Sequence, residues 1–493
     1  MENKKTAYYN SGDIMFIFKN HKNDSFYFEG RKLDKYQRQV VLDNSDRLLV
    51  IAGAGSGKTF TILAKIKYLI ENKNIKESEI LCLSFTNETV DNLKLKLSYN
   101  VDVLTFHKLA LRILHENNFS YSISRDTLIN YIVDEYFLID DDKTKHLLDE
   151  YFDHKTNIDN ELTILKNNII SLIKMIKCNN LSIYKLKKLR YKCLSNKDKI
   201  FYYFTISIYE IYEEELASEI KIDFDDMIIY AKELVKKNGF RRNYKYILID
   251  EYQDISRIRF ELILEILKYT NSKLICVGDD YQAIYGFSGS NLKIFLEFFK
   301  YFPDGRRIDI KNTYRNSYQL VNTSVKFIKK NPFQLRKNIH ANFLFKYPIV
   351  LVYYDDFKKA YQSLFDYLYL ENERKVLVLA RYNKDLEEVK KLEHTGITTR
   401  YLTVHMAKGL EEESVVLIKF SNDYLGFPSK IENNRLINII NDSDEDIPYA
   451  EERRLFYVAL TRCKKRIYIL VPKDNPSIFL KEIKSSCVEL LFK

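Results

Sequence analysis

"RLLVIAGAGSGKTFTILAKIKYLIEN", Arg47 to Asn72, carries two periodicities in one run. Leu48 to Ile51 is a continuous apolar stretch, the pattern of a buried parallel strand. Beyond it, Ile62, Ile66, Leu69 and Ile70 recur on one face of a helix. Gly53, Gly55 and Gly57 lie between, where a small-residue backbone can wrap an anion with its N–H groups at a helix N-terminus. Ala52, Gly53, Ala54, Gly55, Ser56 and Gly57, closed by Lys58, Thr59 and Phe60, are therefore the candidate nucleotide cradle. Lys58 would reach the β- and γ-phosphates, and the Thr59 hydroxyl would ligate Mg²⁺. The strict pattern has glycine where Ala52 stands. A strand, Gly-rich loop and helix in this order assign the chain to the α/β class.

A second stretch, "YKYILIDEYQD" (Tyr244 to Asp254), supplies what the loop lacks. Two adjacent acids on a surface loop ordinarily carry no chemistry. Here an apolar strand delivers Asp250 and Glu251 to its carboxyl edge, where open α/β sheets bind ligands. Asp250 suits the Mg²⁺ shell, and Glu251 suits the polarisation of an attacking water. Loop and acids together read as a nucleoside triphosphate hydrolase.

Composition bounds the alternatives. A chain of 493 residues, 46% hydrophobic and 30% charged, has the balance of a globular protein of about two to four domains. No run approaches the roughly 18 apolar residues of a membrane span, and "IMFIF" is too short for a signal peptide. Cys82, Cys178, Cys193, Cys276, Cys463 and Cys487 are scattered without a C-x-x-C pair, which argues against a disulfide framework or zinc site and fits a reducing cytoplasm. The net charge of +10 is compatible with nucleic acid, but a lysine-, asparagine- and isoleucine-rich composition gives the same excess without it.

Breakers divide the chain unevenly. Neither glycine nor proline occurs between Lys58 and Asn238, which predicts a largely helical section, and the first proline is Pro303. Beyond it, "IVLVYY", "KVLVLA", "VVLIKF" and "RIYILV" read as buried parallel strands, so the main boundary is placed near 304. Residues 1–32, with "DIMFIFKN" and "SFYFEG" flanking "HKND", read as a terminal β-hairpin. Tyr382 to Leu402 reads as a charged helix and a turn at Thr395–Gly396, a plain crossover between neighbouring strands.

Ten stretches, taken in order, resemble the motifs of the UvrD/Rep/PcrA helicases of superfamily 1: "LDKYQRQVV", "LSFTNETVDNL", "VLTFHKLALRIL", "IDFDDMI", "LIDEYQD", "VGDDYQAIYGFSGSN", "NTYRNS", "LARYN", "TVHMAKGLE" and "EERRLFYVALTRCKKRIY". The resemblance covers about residues 33 to 470. It implies two RecA-like motor domains with doubly wound parallel sheets, the first at 33–109 and 222–304 and the second at 305–493. A mainly helical insertion would occupy 110–221. In larger members the interval after "LARYN" carries a second accessory domain; this chain would be a short form without it.

The resemblance also distributes roles. Gln37 would read the adenine edge, Tyr314 would stack on adenine, and Arg315 and Lys408 would lie on the phosphate side. Glu411 would meet the ribose. Gln282 would sense the γ-phosphate, and Arg462 would be the arginine finger. Phe85 and Phe287 would stack on bases, with Thr86, Asn87, His107, Thr403 and His405 as polar contacts to the strand. Family members usually carry tryptophan at the Phe287 position and arginine at Ser288, whereas this chain has no tryptophan at all. In the insertion, "IKMIKCNNLSIYKLKKLRYKCLSNKDK" holds nine basic residues and one acidic one, a candidate DNA strip or a solvated helix face. The implied activity is an ATP- and Mg²⁺-dependent translocase on single-stranded DNA and its junctions with duplex, moving 3′ to 5′ and unwinding. The competing reading is a DNA-stimulated ATPase subunit of an anti-phage type of system that regulates a partner, a nuclease or repair factor. No membrane partner is expected.

Overall fold

The structure, a computed structural model, describes residues 27–491 apart from 125–126, 140, 154–158, 192, 194, 393, 432–434 and 441–446. Most of the proposed terminal hairpin therefore lies outside the described residues. The described part holds a different hairpin: Tyr27–Phe28 pairs antiparallel with Arg31–Lys32, and Phe28 packs edge-on against Phe60 at 5.0 Å.

The first sheet has six parallel strands in the order Arg306–Ile310, Arg47–Ala52, Lys273–Gly278, Tyr246–Ile249, Ile80–Ser84 and Asp102–Thr105. Apart from Arg47, Lys273 and Ser84 at their ends, the central strands are apolar because both faces are covered. Leu49, Ile51, Leu81, Leu83, Ile247 and Ile249 face the helices Phe106–Glu116, Phe224–Asn238 and Arg257–Tyr269. Leu48, Val50, Cys82, Tyr246 and Leu248 face Lys35–Leu42, Lys58–Lys73 and Asn87–Lys96. The order also sets Arg47–Ala52, Lys273–Gly278 and Tyr246–Ile249 side by side, so their carboxyl ends open on one edge.

Two boundaries differ from the sequence reading. Arg306–Ile310, assigned there to the second domain, is the edge strand of the first sheet. Pro303 marks a turn before the last strand, not the passage between sheets. The helix Phe106–Glu116 buries Leu109, Ala110, Ile113 and Leu114 in the first core, so that core extends beyond residue 109. The helical insertion begins after it, where Ser122–Ile123 pairs in parallel with Lys221–Ile222. Its helices, including Asp159–Cys178 and Asn196–Ser218, share a core of Ile169, Leu172, Ile173, Phe201, Phe204 and Ile208. Leu436 and Ile440, from the helix Arg435–Ile440 far along the chain, are buried in the same cluster.

The second sheet is again six parallel strands: Thr398–Thr403, Lys375–Ala380, Glu412–Leu417, Cys463–Pro472, Ile349–Tyr354 and Val488–Glu489. The helix Asn383–Lys390 joins the neighbours Lys375–Ala380 and Thr398–Thr403. The connector is the expected crossover, and its turn is tight: Gly396 has φ +89°, and a Cβ there would meet the Tyr369 ring at 2.5 Å.

The helix Ala450–Leu460 brings Phe456 to the middle of the second core, stacked on Phe420 at 4.7 Å and edge-on to Phe327 at 5.1 Å. Phe456→Ala leaves a cavity that this sheet-backed cluster cannot close. It should cost about 3–5 kcal/mol, measured by denaturant unfolding; a loss under about 1 kcal/mol would contradict this packing.

Candidate functional site

The Gly-rich loop is gripped from both sides. Gly57, at φ 80° and ψ 40°, caps the helix Lys58–Lys73, and Gln37, 2% exposed, donates its amide to Ser56 O at 3.1 Å. The Gln37 carbonyl accepts from Asp34 N at 3.1 Å, closing a capping box on the helix Lys35–Leu42. From the other side, Thr313 Oγ1 donates to Ala54 O at 2.7 Å and Tyr314 N donates to Gly55 O at 2.9 Å. A Cβ on Gly55 would lie 2.4 Å from Arg315 Cβ, so only glycine admits this approach. Tyr314 is half-exposed, with its hydroxyl donating to Asp34 at 2.8 Å. Phe60 packs against Phe28 rather than into the loop.

The neighbouring strand ends bring acids to the same edge. Lys58 Nζ is 3.4 Å from Glu251 Oε1, and Thr59 Oγ1 is 3.5 Å from Asp250 Oδ2. Burial, and then the adjacent Glu251 charge, push the Asp250 carboxyl up. Burial would raise Glu251 too, but Lys58 and Lys408 outweigh it and hold its carboxyl below the usual range. Gln253 Nε2 donates to Glu251 Oε2 at 2.6 Å and fixes that side chain. A Thr hydroxyl and a buried carboxylate lacking an adequate counter-charge make an all-oxygen pair that fits Mg²⁺, whose remaining positions phosphate oxygens and water would fill.

The second unit completes the cleft. Arg462, 1% exposed, donates from Nη2 to Gln282 Oε1 at 3.2 Å and from Nη1 to Leu410 O at 3.1 Å. Burial, and then Arg315, lower its pKa to about 9. Gln282 Nε2 donates to Asp279 Oδ2 at 2.6 Å. Lys408 Nζ bridges Asp254 Oδ2 at 2.5 Å and Gln282 O at 2.7 Å. Arg315 Nε donates to Glu411 Oε2 at 2.7 Å, and Arg315 Nη1 reaches Thr461 O at 3.3 Å. Lys58, Thr59, Asp250, Glu251, Gln282, Arg315, Lys408, Glu411 and Arg462 thus line one cleft.

The residues proposed for the strand fall into two groups. On the first unit, Phe85 lies 5.2 Å from Phe106 with the Arg259 guanidinium 5.5 Å from its ring. Thr86 and Asn87 are exposed, and the Thr86 hydroxyl caps the helix Asn87–Lys96. His107 packs edge-on to Phe224 at 5.5 Å. On the other side of the cleft, the half-exposed Phe287 meets His405 edge-on at 5.3 Å. Thr403 is buried at the end of its strand, its hydroxyl accepting from Met406 N at 3.4 Å. The turn Gly286–Ser288 that presents Phe287 is held by Glu451 Oε1, which accepts from Gly286 N at 3.1 Å.

Sequence reading passed over several members of this network. Gln253, Asp254 and Asp279 stood inside quoted motifs without a role; each is buried and bonded to an assigned residue. Asp34 was one residue into the first motif and holds both Tyr314 and Asn312. Lys337 carried no motif signal.

Both histidines are kept neutral. Burial, then Arg259, lower His107 to about 4; burial, then Arg381 and Lys408, lower His405 to about 3. Because burial disfavours the imidazolium, neither ring should titrate between about pH 5.5 and 8, as followed by imidazole NMR shifts. An inflection near pH 6.5 in either signal would contradict the packing.

Comparison with known proteins gives the family. The sequence model for the UvrD/REP helicase N-terminal domain matches residues 33–303. DNA helicase IV of Escherichia coli is 27% identical over 93% of this chain and 71% of its own length. ATP-dependent DNA helicase Rep of Buchnera aphidicola is 29% identical over 60% of this chain. ATP-dependent DNA helicase PcrA of Staphylococcus epidermidis is 25% identical over 61% of it. The aligned region spans only 44% of that Rep and 40% of that PcrA.

Proposed function

The chain belongs to the UvrD/REP helicase family, and on that footing we propose that it is an ATP-driven motor on single-stranded DNA, moving 3′ to 5′ and separating duplex at single-strand junctions. One observation carries the coupling. The segment that follows the strand Lys273–Gly278 holds Gln282 against Arg462 and, a turn later, presents Phe287 beside His405. A single stretch of backbone therefore touches both the phosphate cleft and the strand-facing surface.

The chemistry follows from the side chains. Backbone N–H groups of the loop and Lys58 bind the phosphates of ATP. Magnesium, held by Thr59 and Asp250, would supply charge neutralisation at the β- and γ-phosphates. Glu251, kept ionised by Lys58 and Lys408 and oriented by Gln253, accepts the proton of the attacking water. Arg315 and Arg462 come from the second unit to the same cleft, so charge on the γ-phosphate draws the units together and its loss releases them. Repeated closure moves bases past the rings of Phe85 and Phe287.

A second reading is favoured by the crossover Asn383–Lys390, which holds a helix where larger relatives carry a domain. Here the motor would be a DNA-stimulated ATPase whose unwinding is set by a partner such as a nuclease. Strand displacement measured beside single-strand translocation separates the two: translocation without displacement supports the partner-dependent reading.

Lys58→Ala should reduce ATP hydrolysis to background, and single-stranded DNA should stimulate the unmodified chain. An unchanged rate in the variant, or equal rates with and without DNA, overturns the motor. Phe287→Ala should weaken single-strand binding by about 1–3 kcal/mol, read by fluorescence anisotropy, with ATP affinity retained. Loss of nucleotide binding instead would contradict its role.

A further inference from the structure

Lys337 lies in a segment, 331–341, to which no motif assigns a task. The segment crosses the cleft. Its end, His340–Ala341, pairs with Asn312–Thr313, and the Ile339 side chain covers Gly53, where a Cβ would meet it at 2.9 Å. Leu335 N donates to Asp280 Oδ2 at 2.7 Å, and Tyr281 OH donates to Leu335 O at 2.8 Å. Between these anchors the Lys337 side chain, 5% exposed, runs over the Tyr281 ring, with Nζ 3.7 Å from its centroid. It ends in ion pairs to both Asp279 and Asp280, which are 0% exposed.

Asp279 is the branching point of the catalytic network. Its Oδ2 accepts from Gln282 Nε2 at 2.6 Å, and its backbone N–H donates to Gln253 Oε1 at 2.9 Å. Gln253 in turn holds Glu251, and Gln282 accepts from Arg462. An amide has one accepting and one donating end. Gln282 can accept from Arg462 only while Asp279 stays an acceptor for its Nε2. Lys337 Nζ donates to Asp279 Oδ1, which leaves the other oxygen, Oδ2, facing Gln282 Nε2. Without that hold the carboxylate is free to rotate Oδ2 away, and the Gln282 amide to turn and set Nε2 against the Arg462 guanidinium, donor against donor.

Building on the motor reading above, we infer that Lys337 is a positioning residue for ATP hydrolysis: by fixing the Asp279 carboxylate, it holds the amide of Gln282 in the orientation that receives Arg462 when the cleft closes. Lys337 touches neither phosphate nor DNA in this account. Its effect passes through Gln282 alone.

The test is steady-state ATPase of the full chain with saturating single-stranded DNA, comparing the unmodified protein with K58A, K337M, Q282A and K337M/Q282A. K337M should lower kcat by about 10- to 100-fold, the range for outer residues that orient a site's ligands, while KM for ATP and single-strand affinity stay within about threefold. The double variant should be no slower than Q282A, because both changes break one path. Multiplied losses in the double, an unaltered kcat in K337M, or parallel losses of kcat and both affinities would each overturn the inference. K337Q, which keeps a hydrogen bond to Asp279 without the charge, is measured in parallel with thermal melts. If neither variant folds, Lys337 is architectural and the inference falls. Full activity in K58A would instead sink the motor reading.

Discussion

Three parallel strands lying side by side govern this molecule. Arg47–Ala52, Lys273–Gly278 and Tyr246–Ile249 are hydrogen-bonded neighbours, yet the first lies far before the other two in the chain. In a parallel sheet every strand points the same way, so the loops that leave adjacent carboxyl ends must share one edge. The Gly-rich loop, the Asp279–Gln282 segment and the Asp250–Glu251 pair meet there without further arrangement. The apolar faces of these strands hold that alignment, because each face packs against its own layer of helices.

Bringing so many acids to one dry edge creates an electrostatic demand. Asp250, Asp254, Asp279 and Asp280 are all buried, and burial pushes the carboxyls of Asp250, Asp254 and Asp280 upward. The cations that answer them come from elsewhere: Lys58 from the loop's helix, Lys408 from the second unit, and Lys337 from the segment that crosses the cleft. Attraction between the two halves is therefore built into the site. In the proposed motor, a nucleotide would add negative charge at the point where Arg315 and Arg462 already converge, which would tie closure of the cleft to occupancy of the loop.

The surface proposed to face the DNA strand is supported by the same logic of distant parts. Glu451 holds the turn that carries Phe287, and a Cβ on the following Gly289 would meet Cys178 of the insertion at 2.6 Å. Within the insertion, Lys177 gathers Glu213, Asp223 and Asp226 at 2.8, 2.7 and 2.8 Å. The insertion is thus locked to the first unit beside the helix that carries His107's neighbour, Phe224. The exposed Tyr184 and Tyr191 of the basic stretch lie outside this joint.

Local pattern determined much of this protein. The periodicity of Arg47 to Asn72, the apolar run before Asp250 and the four β-rich runs beyond Pro303 specified parallel α/β units, because buried strands must be apolar on both faces. The charged helix and glycine turn of residues 382–402 specified a crossover for the same reason of length and pattern. Tertiary structure alone decided which sheet takes Arg306–Ile310, since an edge strand's pattern does not name its partner. It alone placed Leu436 and Ile440 in the insertion's core, and it alone joined Lys337 to Asp279. Those contacts are long-range pairings of ordinary residues, and what makes them decisive is the low-dielectric, close-packed setting that exists only after the chain has folded.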